Sequence, residues 1–128
     1  MITLYSADAD IALNEVVRRA AADPQTLTGL FVQNYARTDA CIELLIHALE
    51  SSGLTFTREQ TAKRFTLENG AQFWIISYSR PEYLFGYELS DAVVFIETDI
   101  TDPLRETLIS IRSRLRRGTE QTLFLVPE

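Results

Sequence analysis

A chain of 128 residues, 46% of them hydrophobic, suffices for one domain with a sizeable buried core. Twelve basic against eighteen acidic side chains leave a net charge of −6, which argues against a surface built throughout as a nucleic-acid or membrane clamp. Cys41 alone allows no internal disulfide, and one histidine allows no Cys/His zinc set. No apolar run reaches the ~18 residues of a membrane span and the amino terminus shows no basic-then-apolar leader, so a cytoplasmic protein that does not engage a membrane is expected.

In chain order, Ile2-Thr3-Leu4-Tyr5 is a short strand candidate. Ile11, Leu13, Val16, Val17, Ala20 and Ala21 then recur at helical spacing, with Asp8 or Asp10 as the cap and Asp23-Pro24 as the stop. Gly29 to Tyr35 reads as a second strand, interior because its alternation is too weak for an exposed edge. Thr38 or Asp39 opens a second helix with Cys41, Ile42, Leu45, Ile46 and Leu49 on its apolar face. Gly53 closes it as a left-handed cap, and Glu43, His47 and Glu50 occupy the other face.

From Thr55 the pattern changes to period two. Arg64-Phe65-Thr66-Leu67 faces Phe73-Trp74-Ile75-Ile76 across Asn69-Gly70, a strong hairpin signal. The loop from Ser79 to Ser90 is broken by Pro81 and Gly86 and exposes Tyr83, Leu84, Phe85 and Tyr87. Val93-Val94-Phe95-Ile96 has no polar alternation, as expected of a central strand buried on both faces. Glu97, Thr98 and Asp99 follow it, at the strand end where open α/β sheets place ligands. Asp102-Pro103 starts a third helix through Leu104, Leu108, Ile111 and Leu115 to Gly118, and Leu123 to Val126 is the last strand.

The order predicts one α/β domain over residues 1–128. Its expected architecture has three layers: a mostly parallel sheet with helices on both faces and one antiparallel hairpin. Leu30, Val32, Phe73, Ile75, Val93, Phe95, Leu123 and Leu125 are the expected core of the sheet.

Three short stretches, taken in order, carry a resemblance: Leu67-Glu68-Asn69-Gly70-Ala71, then Leu84-Phe85-Gly86-Tyr87-Glu88-Leu89-Ser90-Asp91, then Ala92 to Ile96 followed by Glu97-Thr98. The series resembles the ATPase core of phage DNA-packaging motors, the large terminase subunit, over nearly the whole chain. That family carries an "L-x-N-G-x" hairpin, an "x-x-R-G-x-x-x-D" loop and an apolar strand ending in Asp-Glu. The resemblance implies a P-loop NTPase-like fold.

The family's chemistry does not carry over. A phosphate-binding loop needs glycines so that backbone N–H groups wrap the phosphates, a lysine for charge and a hydroxyl for magnesium. Ser6-Ala7-Asp8-Ala9-Asp10 stands there, with no glycine and no lysine, and with two carboxylates at a helix end that should attract an anion. Like charges about 4 Å apart at an effective dielectric near 20 repel by roughly 4 kcal/mol before solvent screening. Glu97 and Thr98 replace the family's Asp-Glu pair, and threonine is no general base near neutral pH. Phe85 replaces the arginine before the loop glycine, and Val126 stands where the family's last strand ends in a small hydroxyl residue. Asp8, Asp10, Glu97 and Thr98 thus form a degenerate nucleotide site, with no catalytic residue and no cofactor expected.

Glu97, Asp99 and Asp102 suit a hard cation, but Asp102-Pro103 marks a helix start, so solvated carboxylates and no metal are expected. His47 reads as a solvated helix residue and Cys41 as a small core residue. The arginines at 105, 112, 114, 116 and 117 either contact phosphates or an acidic partner or complement a helix carboxyl end. The aromatic loop either anchors a partner or folds back on the sheet.

The expectation is a non-catalytic, terminase-like module that binds a protein, such as a small phage-encoded regulator or decoy in the host cytoplasm. Tyr83, Leu84, Phe85, Tyr87, Arg112 and Arg116 are its candidate contacts, and nucleic acid is left open as a partner. Two alternatives stand beside it: a divergent nucleotide hydrolase completed by a partner, and an acidic mimic of nucleic acid.

Overall fold

The computed structural model describes residues 2–6, 8–32, 38–59, 63–77, 89–96, 105–106, 108–111 and 121–127; for residues 2–6, 96 and 121–127 it describes the backbone alone. Strand β1 (Ile2–Ser6) leads to helix α1 (Ala9–Ala22), whose Ala12, Leu13, Val16, Val17 and Ala20 recur at helical spacing and are all buried. Strand β2 (Leu27–Val32) follows, then α2 (Thr38–Ser51), which buries Thr38, Cys41, Ile42, Leu45, Ala48 and Leu49. Gly53 ends α2 at φ 71°, with Leu54 N–H donating to the Leu49 carbonyl at 3.1 Å, a left-handed cap that glycine adopts without steric cost. Strand β2 starts two residues before the expected Gly29, and residues 33–35 lie outside those described.

Strands β3 (Phe56–Glu59), β4 (Arg64–Leu67), β5 (Gln72–Ser77), β6 (Asp91–Ile96) and β7 (Gln121–Pro127) complete one seven-stranded sheet in the order β1-β7-β6-β2-β5-β4-β3. The first five strands of that order are mutually parallel, and β4 and β3 run antiparallel at one edge. This is the expected mostly parallel sheet, with one strand more than the sequence suggested. Strand β3 is four residues long and exposes Thr57, Arg58 and Glu59, so Phe56 is its one apolar residue, too few to mark a separate strand within the period-two stretch from Thr55. It is held through Phe56, whose ring centroid lies 5.8 Å from that of Phe65, and through Arg58, whose guanidinium carbon is 5.6 Å from the Phe65 centroid.

Strand β6 occupies the middle of the parallel part, as its apolar run predicts, while β2 is the fourth of all seven strands. Period-two alternation sorts the side chains into two cores. Leu30, Val32, Phe73, Ile75, Val93 and Phe95 pack with α1 and α2 on one face. Phe31, Trp74, Ile76, Ala92 and Val94 pack on the other, with Leu89, Leu108 and Ile111. Residues 105, 106 and 108–111 are helical, so helices lie on both faces. Backbone register pairs Leu123 with Ala92 and Leu125 with Val94; the side chains of these two leucines lie outside what is described.

The expected hairpin across Asn69-Gly70 is present, while the end of the long loop needs correction. Gly70 N–H donates to the Leu67 carbonyl at 2.9 Å and Leu67 N–H to the Ala71 carbonyl at 2.8 Å, giving a three-residue hairpin loop. Gly70, at φ 103°, takes the left-handed position such a loop requires. Leu89, placed within the loop by sequence, is wholly buried in the second core. Beside it Ser90 N–H donates to the Leu27 carbonyl at 2.8 Å, and Leu27 N–H donates to Ser90 Oγ at 3.2 Å, which fixes the entry of β6 against the start of β2.

Candidate functional site

Parallel strands bring their carboxyl ends to one edge of the sheet, and α1 begins at that edge, directly after β1. Asp8 is the N-cap residue of α1, with φ −66° and ψ 152°, and its carbonyl accepts the Ala12 N–H at 3.0 Å. Its carboxylate makes no capping hydrogen bond. Asp10 lies in the first turn, and both side chains are exposed. Two anionic groups therefore stand at the positive end of the helix dipole, where an incoming phosphate would meet charge of its own sign. The carboxyl end of β6 is two strands from β1, with β7 between, or ~10 Å at ordinary strand spacing.

Of the residues singled out from sequence, the structure places Asp8 and Asp10 together at this edge. Glu97, Thr98, Asp99 and Asp102 lie outside the described residues, as do Tyr83, Leu84, Phe85 and Tyr87 of the loop and Arg112, Arg114, Arg116 and Arg117. Arg105 is exposed on the helical segment. His47 is exposed on α2 and Cys41 is buried in it. No group of three metal-ligating side chains occurs among the described residues, and among them no helix is long and apolar enough to cross a membrane.

The opposite end of α1 holds polar groups that sequence reasoning did not single out. Arg19 Nη1 lies 3.0 Å from Asp91 Oδ1, and the Asp91 side chain is only 4% exposed. Arg19 Nε donates to Glu15 at 3.3 Å, and Glu15 also accepts from Arg18. The Arg18 hydrogen bond is the main reason the Glu15 carboxyl sits below its ordinary range; partial burial opposes it and Arg19 adds to it. Asn69 Nδ2 donates to the Ala20 carbonyl at 2.9 Å while its Oδ1 accepts Ala71 N–H at 3.0 Å, so the hairpin grips the last turn of α1. The helix is thus fastened at its carboxyl end to β6 and to the hairpin, and its amino end is held at the sheet edge. Nothing local in the sequence announces the Arg19–Asp91 contact, which spans 72 positions.

No protein-family model matches the sequence, and no curated protein matches it. Solved structures do. The large terminase of a thermophilic bacteriophage superposes with a TM-score of 0.72 at 14% identity, over 98% of this chain and 33% of its own. The ATPase domain of the Thermus phage P74-26 large terminase gives 0.59 at 15% identity, over 99% of this chain and 59% of its own. The chain has a phage packaging-ATPase fold. The N-terminal domain of the DNA-packaging ATPase of bacteriophage phi29 agrees, with a TM-score of 0.68 at 12% identity, over 98% of this chain and 72% of its own. The chain therefore spans a third to a little under three quarters of these packaging proteins. Within the packaging-ATPase fold, the stretch that the family resemblance aligns with the phosphate loop is Ser6 to Asp10, the segment that here contributes two carboxylates.

Proposed function

We propose that this chain is a phage DNA-packaging module that does not hydrolyse ATP and acts by binding a protein, in the cytoplasm of the infected cell. The observation that carries the reading is the pair Asp8 and Asp10, exposed at the amino end of α1 in a fold otherwise kept across the whole chain. A nucleotide site loses its triphosphate when the anion-binding helix end turns anionic and no lysine compensates. A fold retained without that site has its surfaces left to act with. One similar structure is a chain of the bacteriophage phi29 viral genome packaging motor assembly, and a packaging component is accordingly the first partner to seek.

Tyr83 to Tyr87 and the arginines at 112 and 116 are the proposed contacts, since central interface positions favour aromatic residues and arginine. Two measurements test the reading. Phosphate release from ATP and magnesium is expected to match a protein-free blank, and affinity capture from phage-infected extract is expected to retain a packaging component. Phe85→Ala and Tyr87→Ala should each weaken that capture by more than about 1 kcal/mol at unchanged stability. A second reading, a divergent hydrolase completed by a partner, draws on the ATPases that share the fold. Phosphate release that appears only when the captured partner is added back would decide for it.

A further inference from the structure

Thr28 lies on β2 directly opposite Asp91 of β6 in the parallel register, with ~4.8 Å between neighbouring strands. Both stand on the sheet face covered by α1 and α2, two residues before Leu30 and Val93 of that core. Thr28 is wholly buried, and among the described residues its Oγ1 is the buried side-chain polar atom without a hydrogen-bond partner. A buried hydroxyl in that state costs stability, so one that is kept asks for a reason. The carboxylate beside it is held from the helix: Arg19 Nη1 donates to Asp91 Oδ1 at 3.0 Å. The Arg19 side chain is 26% exposed and has a way out to water, which the Asp91 side chain, at 4%, lacks.

We infer that Thr28 is a reserve donor for Asp91, and that Arg19, Asp91 and Thr28 form a two-position latch at the carboxyl end of α1. In the closed position Arg19 holds Asp91 and the Thr28 hydroxyl is unused, as in this structure. In the open position Arg19 turns out to solvent, and Thr28 rotates about χ1 and donates its O–H to the Asp91 carboxylate. Only hydrogen bonds change, and no proton is transferred.

The exchange asks little of the core. Rotation about χ1 swaps the hydroxyl and methyl of a threonine, two groups close in size, between staggered positions. Without a reserve donor, departure of Arg19 would leave a buried carboxylate one partner short, which is what makes breaking a buried pair expensive. A hydrogen bond to a charged acceptor is among the stronger kinds and recovers part of that cost. Opening releases α1 from β6 alone, since Asn69 Nδ2 still donates to the Ala20 carbonyl at 2.9 Å. The latch therefore sets how firmly the helix that begins at Asp8 and Asp10 is held at its far end. It depends neither on the fate of ATP nor on the identity of a partner.

The test crosses Thr28→Val with Arg19→Met, reads stability by urea titration, and reads the Thr28 rotamer by NMR from the three-bond couplings to its methyl carbon. With Arg19 in place, Thr28→Val deletes an unused hydroxyl and should leave the folding equilibrium constant unchanged or raise it. In the Arg19→Met chain the same substitution should lower that constant about tenfold or more. The couplings should report one Thr28 rotamer in the native chain and another in Arg19→Met. Arg19→Lys, which keeps the charge and shortens the reach, should populate both, and it carries the rotamer measurement where Arg19→Met does not fold. A loss of stability from Thr28→Val with Arg19 in place, an equal effect of Thr28→Val in the two backgrounds, or one Thr28 rotamer throughout would each overturn the inference.

Discussion

Gly29 lies on β2 beneath Phe31, and a methyl group added there would have nowhere to go. A Cβ built on Gly29 falls 2.7 Å from Phe31 Cε2, 3.0 Å from Phe31 Cζ and 3.1 Å from Leu89 Cδ1. Ordinary carbon contacts are ~3.5–4.0 Å, so the ring of Phe31 must shift by roughly 0.8 Å or more. Phe31 is 1% exposed and Leu89 fully buried, with Trp74, Ile76 and Val94 in the same cluster, so the shift is resisted from all sides. Overpacking of this kind costs about 1–3 kcal/mol. Relief from a strand glycine returns about 0.5–1 kcal/mol, leaving Gly29→Ala destabilised by up to about 2.5 kcal/mol. Urea titration at constant m-value measures it. Phe31→Leu removes the two offending ring atoms, so the double variant should lose less than the two single losses added together, by at least about 0.5 kcal/mol. A stabilised Gly29→Ala, or strict additivity with Phe31→Leu, would refute the packing of this face.

Two further predictions concern the carboxyl end of α1. Arg19→Met removes the guanidinium from beside a carboxylate that is 4% exposed; because Arg19 itself is partly solvated, the loss should be about 2–3 kcal/mol rather than the larger cost of a fully buried pair. A urea-measured loss under about 1 kcal/mol would show the contact to be incidental. The Glu15 carboxyl is lowered in the folded chain from an ordinary value of 4.5, so its contribution is complete above that value and is lost as pH falls through the lower folded-state value. Glu15→Gln should therefore flatten the acid limb of the stability–pH curve below about pH 4.5; an unchanged limb would contradict the Arg18 and Arg19 hydrogen bonds.

Much of the fold is legible because its signals are local. The unbroken apolar run of β6 does mark a strand covered on both sides, and Gly53 does close α2 in a left-handed conformation. Other features depend on partners far along the chain. Strand β3 exists because Phe56 meets Phe65 and β4 offers an edge, and one apolar residue in four does not set a strand apart within the period-two stretch from Thr55. Leu89 follows a run rich in loop residues, yet its register beside β2 places it in the core. Asn69 reads in sequence as half of a turn signal, whereas its side chain also holds α1, a role that only the approach of hairpin and helix creates.

At the candidate site the resemblance sets carboxylates against that family's phosphate loop, and the structure supplies their setting: Asp8 and Asp10 at the amino end of α1 on the carboxyl edge of the parallel strands. Arg19 and Asp91 are each visible as charged residues, but their pairing across 72 positions follows from the crossover of α1 over β6 and not from any spacing.

Isothermal titration calorimetry of the chain with ATP and magnesium bears most directly on whether this chain binds a nucleotide. With Asp8 and Asp10 at the helix end that would hold the phosphates, no binding heat is expected at sub-millimolar ATP. A dissociation constant in the low micromolar range would contradict this reading of the site.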